Sequence, residues 1–78
     1  MGTELKDYQL RFVDEYRDLK DKCEKLHKLV VKYDAGTLDF TPSCSCDLLS
    51  TQLEHMMGYL YILEVRAEIE GIDLSLYL

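Results

Sequence analysis

Few residues of this chain could do chemistry. Cys44 and Cys46 sit one residue apart in "DFTPSCSCDLL", beside the single proline. With Cys23, His27 and His55 they offer ligand types that zinc accepts. Their spacing does not fit, because structural zinc sites draw on two pairs of the C-x2–4-C kind. Cys23 and His27, at i and i+4, could share a helix face, but Cys23 falls in an apolar stripe, where a thiol acts as a small hydrophobe. Cys44 or Cys46 near a helix start would have some thiolate tendency, yet no residue is visibly placed as its base. Gly2, Gly36, Gly58 and Gly71 are isolated and form no phosphate loop. Asp14, Glu15, Glu68 and Glu70 read as solvated charge on helix faces, not as a general acid–base pair. No catalysis, metal or cofactor is expected.

Tyrosine and arginine remain. Six tyrosines occur, and no tryptophan. A tyrosine gives a flat ring and a hydroxyl at low entropy cost, which suits interfaces and stacking on ligands. Tyr16 and Tyr33 fall on a helical seam and read as core, whereas Tyr8 and Tyr61 fall off it. Arg11 and Arg66 could meet a phosphate or carboxylate as a fork. Arg66 lies among Glu64, Glu68 and Glu70, so its simplest role is a salt bridge near a helix end. The candidate ligand contacts are Tyr8, Arg11, Tyr59, Tyr61 and Arg66.

These side chains must be carried on helices. From Leu5 to Tyr33 there is no Gly or Pro, and from Phe12 the apolar residues Phe12, Tyr16, Leu19, Cys23, Leu26, Val30 and Tyr33 are spaced 4, 3, 4, 3, 4, 3. That is the seam of a helix packed nearly parallel to another. Asp34 and Gly36 read as its stop. Thr41, Pro42 and Ser43 read as a start, with Thr41 or Ser43 capping. Leu38 and Phe40 lie between and would plug the hairpin's end. The second seam is Leu49, Leu53, Met56, Leu60, Leu63 and Ala67, spaced 4, 3, 4, 3, 4. The expected architecture is all-α: a two-helix antiparallel hairpin, residues about 4–33 and 43–70, in one domain over 1–78.

Helix two is apolar over much of its circumference. Tyr59, Ile62 and Ile69 widen its face, and Leu48, Met57 and Tyr61 lie on other sides. One partner helix cannot cover that surface, so it points to a subunit interface or a ligand site. Gly58 costs about 1 kcal/mol of helix propensity; it marks either a close helix crossing or a tolerated irregularity. The tail "GIDLSLYL" starts with a C-cap glycine, Gly71, and is too apolar to be solvated. It is expected to fold back on the hairpin or to join an interface.

Composition bounds the partners. Of the 78 residues, 47% are hydrophobic and 31% charged, a globular balance. A chain this short is marginal alone, which makes homo-oligomerisation the expectation. The formal charge is −6, and direct DNA or RNA binding needs phosphate-neutralising bases. Residues 43–78 carry six acids and one base, Arg66. No apolar run has the length of a signal peptide core or a membrane span, and "MGTELK" is a thin match to a myristoylation signal. An odd cysteine count fits a reducing compartment. A soluble cytoplasmic protein with no membrane partner is expected.

The segments "YQLRFVDEYRDLKDKCEKLHKLV" and "LDFTPSCSCDLLSTQLEHMMGYLYILEVRAEIEGI" resemble a family of small phage and prophage proteins related to an open reading frame of a crAss-like gut phage. The shared pattern runs through Tyr8-Gln9, Arg11, Glu15, Leu19, Phe40, Leu48-Leu49, Gln52-Leu53, Met56, Tyr59-Leu60, Leu63 and Arg66. Cys44 and Cys46 depart from it, which weakens any role for the two thiols. The resemblance implies a viral accessory protein in the host bacterial cytoplasm and supplies no activity. In size and helix content the chain is also similar to the anti-CBASS sponges, small phage oligomers that sequester cyclic nucleotides; this is a likeness of architecture alone. Three functions follow as expectations. One is a non-catalytic anti-defence protein holding a cyclic-nucleotide or NAD-derived immune signal in inter-subunit pockets. The alternatives are a helical inhibitor that binds a host defence protein and a small phage structural or assembly protein.

Overall fold

A computed structural model of the chain describes residues 5–77. Two antiparallel helices, α1 (Asp7–Ala35) and α2 (Cys46–Glu70), are followed by a 3-10 turn, Leu74–Tyr77. The molecule is a rod of 51 × 18 × 18 Å, consistent with α1's 29 residues at about 1.5 Å rise each. The expected start of helix one at residue 4 lies outside the described residues, as does Leu78.

Both helices end where the sequence places a glycine. Gly36 and Gly71 take the left-handed conformation, at φ 77° and 73°. The Thr37 amide donates to the Lys32 carbonyl at 2.9 Å and the Ile72 amide to that of Ala67 at 2.9 Å, closing carbonyls a helix end leaves free. At the start of α1, the Lys6 amide donates to the Gln9 side chain at 3.0 Å. The start of α2 differs from expectation. Neither Thr41 nor Ser43 caps it; the Ser45 hydroxyl accepts from the Leu48 amide at 3.2 Å. Pro42 to Cys44 therefore belong to the connection, and α2 opens at Cys46.

The two seams meet. Phe12, Val13, Tyr16, Leu63, Ala67 and Ile72 form the core cluster, and Leu63 is fully buried. Each of Phe12, Val13, Leu63 and Ile72 contributes about 1.5–3 kcal/mol by leaving water. The tail does fold back: Ile72 is buried, and Leu74 and Tyr77 pack on the same cluster. Val13, off the heptad line, is buried too. The cluster draws on the early part of α1 together with the last turns of α2 and the tail, so Val13 lies at the tail's end of the rod.

At the other end three expectations fail. Tyr33 is 51% exposed and Phe40 55% exposed; Leu38 is only half-buried. The seam runs out there because α2 begins at Cys46 rather than 43, leaving nothing opposite Tyr33. Gly58 marks no crossing inside the chain, since a Cβ built on it would meet nothing within 4 Å.

The outer faces differ sharply. On α1, Asp14–Arg17, Asp21–Lys25 and Lys20–Glu24 form i,i+3 or i,i+4 ion pairs, a solvated face. On α2, Tyr61, Ile62, Val65 and Ile69 are exposed.

Candidate functional site

One long side of the hairpin gathers four of the five candidates. Arg11 and Tyr59 line a cleft of about 470 Å3 together with Asp14, Glu15, Asp18, Leu19 and Lys22. Arg66 lies seven residues, two helical turns, beyond Tyr59 on the same side of α2. Its guanidinium sits over the Phe12 ring, 4.9 Å from the centroid. Tyr8 is one turn before Phe12 and Arg11 on α1 and is exposed. Tyr61 is not brought there. Two residues from Tyr59, it projects from the other side of α2, 66% exposed.

The salt bridge expected for Arg66 is absent. Among the described residues, neither Arg66 nor Arg11 pairs with a carboxylate, whereas Arg17 does. The helix register explains the difference. Glu64 points to the opposite side of the hairpin, where it accepts from the Tyr16 hydroxyl at 2.9 Å. Glu70 accepts from the Gln9 amide at 3.1 Å. Arg66 is left to stack on Phe12, worth about 0.5–1 kcal/mol where exposed.

Glu15 is not simple solvated charge. It accepts the Tyr59 hydroxyl proton in a hydrogen bond across the two helices. That bond raises the Tyr59 pKa, with partial desolvation and the Glu15 charge adding, while Arg66 opposes. The cleft thus presents two cationic groups (Arg11, Lys22) and an aromatic ring (Tyr59) beside three carboxylates (Asp14, Glu15, Asp18), of which Glu15 is bonded to Tyr59 and Asp14 is paired with Arg17. Sequence reasoning missed Phe12, Glu15, Leu19 and Lys22 as site residues. The antiparallel register of the two seams, which sets Phe12 against Arg66 and Glu15 against Tyr59, is the signal that could have found them.

The cysteines do not converge. Cys23 is buried in the hairpin, and Cys44 and Cys46 flank the Ser45 cap. Desolvation raises the Cys46 thiol pKa, and the Asp34 and Asp47 charges add to the rise, opposite to the thiolate tendency expected of a helix start. Burial likewise raises that of Cys23. Among the described residues no three His, Cys, Asp or Glu side chains are grouped to hold a metal ion, and no helix is long and apolar enough to cross a membrane.

Fold and cleft together define a small α-helical hairpin that offers uncommitted arginines and tyrosine on one open side. The chain belongs to the Sequestin family, whose model matches residues 6–69. No curated protein and no solved structure matches it.

Proposed function

We propose that this protein is a non-catalytic, phage-encoded anti-defence protein that binds and sequesters an anionic, base-containing immune signal, a cyclic nucleotide or an NAD-derived cyclic species, in the bacterial cytoplasm. The observation that carries the reading is the pair Arg11 and Arg66, on one side of the hairpin and free of carboxylate partners among the described residues. Guanidinium forks suit phosphate, and Tyr59 on the same side offers a ring for a base. The family name, Sequestin, agrees with a protein that holds rather than transforms its ligand. The open cleft is one wall of the pocket, and the rest comes from another copy of the chain.

Titration calorimetry of the purified protein with cyclic dinucleotides, cyclic trinucleotides and cyclic ADP-ribose isomers tests this. Micromolar or tighter binding to one of them is expected, weakened at least tenfold by Arg66→Ala and by Arg11→Ala. No heat with any of them sinks the reading. In that case the alternative, an inhibitor that docks its acidic helix α2 on a basic host surface, draws support from six acids against one base in that helix and its tail.

A further inference from the structure

The outward face of α2 is the largest feature that the cleft does not use. Gly58, Ile62, Val65 and Ile69 follow each other at spacings of 4, 3 and 4, a straight stripe along a helix. It lies opposite the core line of Leu53, Leu63 and Ala67. Ile62 is 53% and Ile69 79% exposed, and Tyr61 flanks them. Together the four large side chains expose on the order of 500 Å2, the size of the largest apolar patch that a monomer ordinarily tolerates.

We infer that this stripe is the interface of an isologous homodimer, with α2 packed antiparallel on the α2 of a second copy. Three observations name the occupant. The patch, on the order of 500 Å2, supplies more than half of the ~800 Å2 per partner of a stable interface. Helix α1 offers no continuous apolar stripe on its outer face: its exposed Leu10 and Val31 are separated by a stretch laced with ion pairs, so the matching surface in another copy is the same stripe. A two-fold axis satisfies both at once. Gly58 then has a use that it lacks inside the chain: an unobstructed position into which a partner side chain can seat.

Charge selects the antiparallel arrangement. Glu64, Glu68, Glu70 and Asp73 crowd the C-terminal end of α2. Parallel copies would set these acids side by side, whereas antiparallel copies hold them apart. A two-fold perpendicular to the helices also keeps corresponding edges on the same side of the dimer. Arg66 lies four residues on from Ile62, about 40° around the helix. The Tyr59–Arg66 edges of the two copies therefore flank one axis, and each copy walls the other's open cleft. Only this last consequence rests on the sequestering reading; the interface stands without it.

Sedimentation equilibrium tests the interface directly. The native protein is expected at twice its 9.1 kDa chain mass at low micromolar concentration. Ile62→Glu and Ile69→Glu, at exposed positions, are expected to keep the helical circular dichroism and to weaken association at least 100-fold. Ile69→Glu, at the more exposed site, carries the test if Ile62→Glu misfolds. Spin labels on Asp47→Cys, in a Cys44→Ser, Cys46→Ser background, are expected about 50 Å apart in the antiparallel dimer centred on the stripe, against roughly 20 Å or less in a parallel one. A native monomer overturns the interface, whether it stays free or moves onto anionic lipid vesicles. So does a dimer that both glutamates leave intact, and a short label distance overturns the antiparallel arrangement. A dimer that binds none of the cyclic nucleotides overturns the sequestering reading and leaves the interface standing.

Discussion

Tyr16 ties the two helices together through one polar contact, and its removal has a calculable signature. The ring is buried in the core, and its hydroxyl donates to Glu64. Burial foremost, then that bond and the charges of Glu64 and Glu24, push the phenol up from its ordinary 10.0 to about 12. A group whose pKa is higher folded than unfolded contributes stability that is complete below its unfolded pKa and is lost as pH rises through the folded one. The window is therefore pH 10 to 12. From pH 8 to pH 11 the loss is about 1.4 kcal/mol from a full pKa unit, and nearer 1 kcal/mol after screening through the exposed Glu64. Tyr16→Phe removes this dependence. It also costs about 1 kcal/mol at neutral pH through the lost hydrogen bond. Urea unfolding at pH 8 and pH 11, at one protein concentration, reads both. With a slope near 1 kcal/mol per molar, the native midpoint should fall about 1 M further between the two pH values than that of Tyr16→Phe. Equal falls for the two proteins would refute the role given to Tyr16 and Glu64.

Leu63→Ala empties the one fully buried large side chain among the described residues and should cost about 2–5 kcal/mol, seen as a drop in Tm or partial unfolding at 37 °C. Ser45→Ala removes the cap of α2 and should cost about 1 kcal/mol by urea unfolding, whereas Thr41→Ala and Ser43→Ala should not. Replacing Cys44 and Cys46 together by Ser should leave stability within about 0.5 kcal/mol and ligand binding unchanged; bound zinc lost in that variant, measured by atomic absorption, would count against their dismissal. Glu15→Gln should tighten binding of an anionic ligand several-fold in calorimetry, because it removes the one carboxylate that bonds Tyr59 across the cleft, while weakening by the same change would mean that Glu15 itself receives a donor from the ligand.

The sequence by itself determined the hairpin. Heptad spacing can be satisfied only by a helix laid along another, so Phe12, Tyr16, Leu53, Leu63 and Ala67 had to be inside. Gly36 and Gly71 stop their helices through local backbone preference, which needs no tertiary context. The apolar excess of α2 was equally legible, because a helix with hydrophobic residues all around cannot be covered by one neighbour. What periodicity could not settle was anything that depends on the offset between the helices. Tyr33 and Phe40 match the apolar pattern, yet α2 starts too late to cover them. Four candidates share a side and Tyr61 does not, a matter of rotation about α2. Arg66 among three glutamates reads as a salt bridge along the chain. Tertiary structure turned Glu64 to Tyr16 and Glu70 to Gln9, and left the guanidinium on Phe12. The physical reason is one of range. Spacing reports which residues share a face of one helix, whereas register and rotation are set by how two such faces mesh. Those two quantities decide which charges meet.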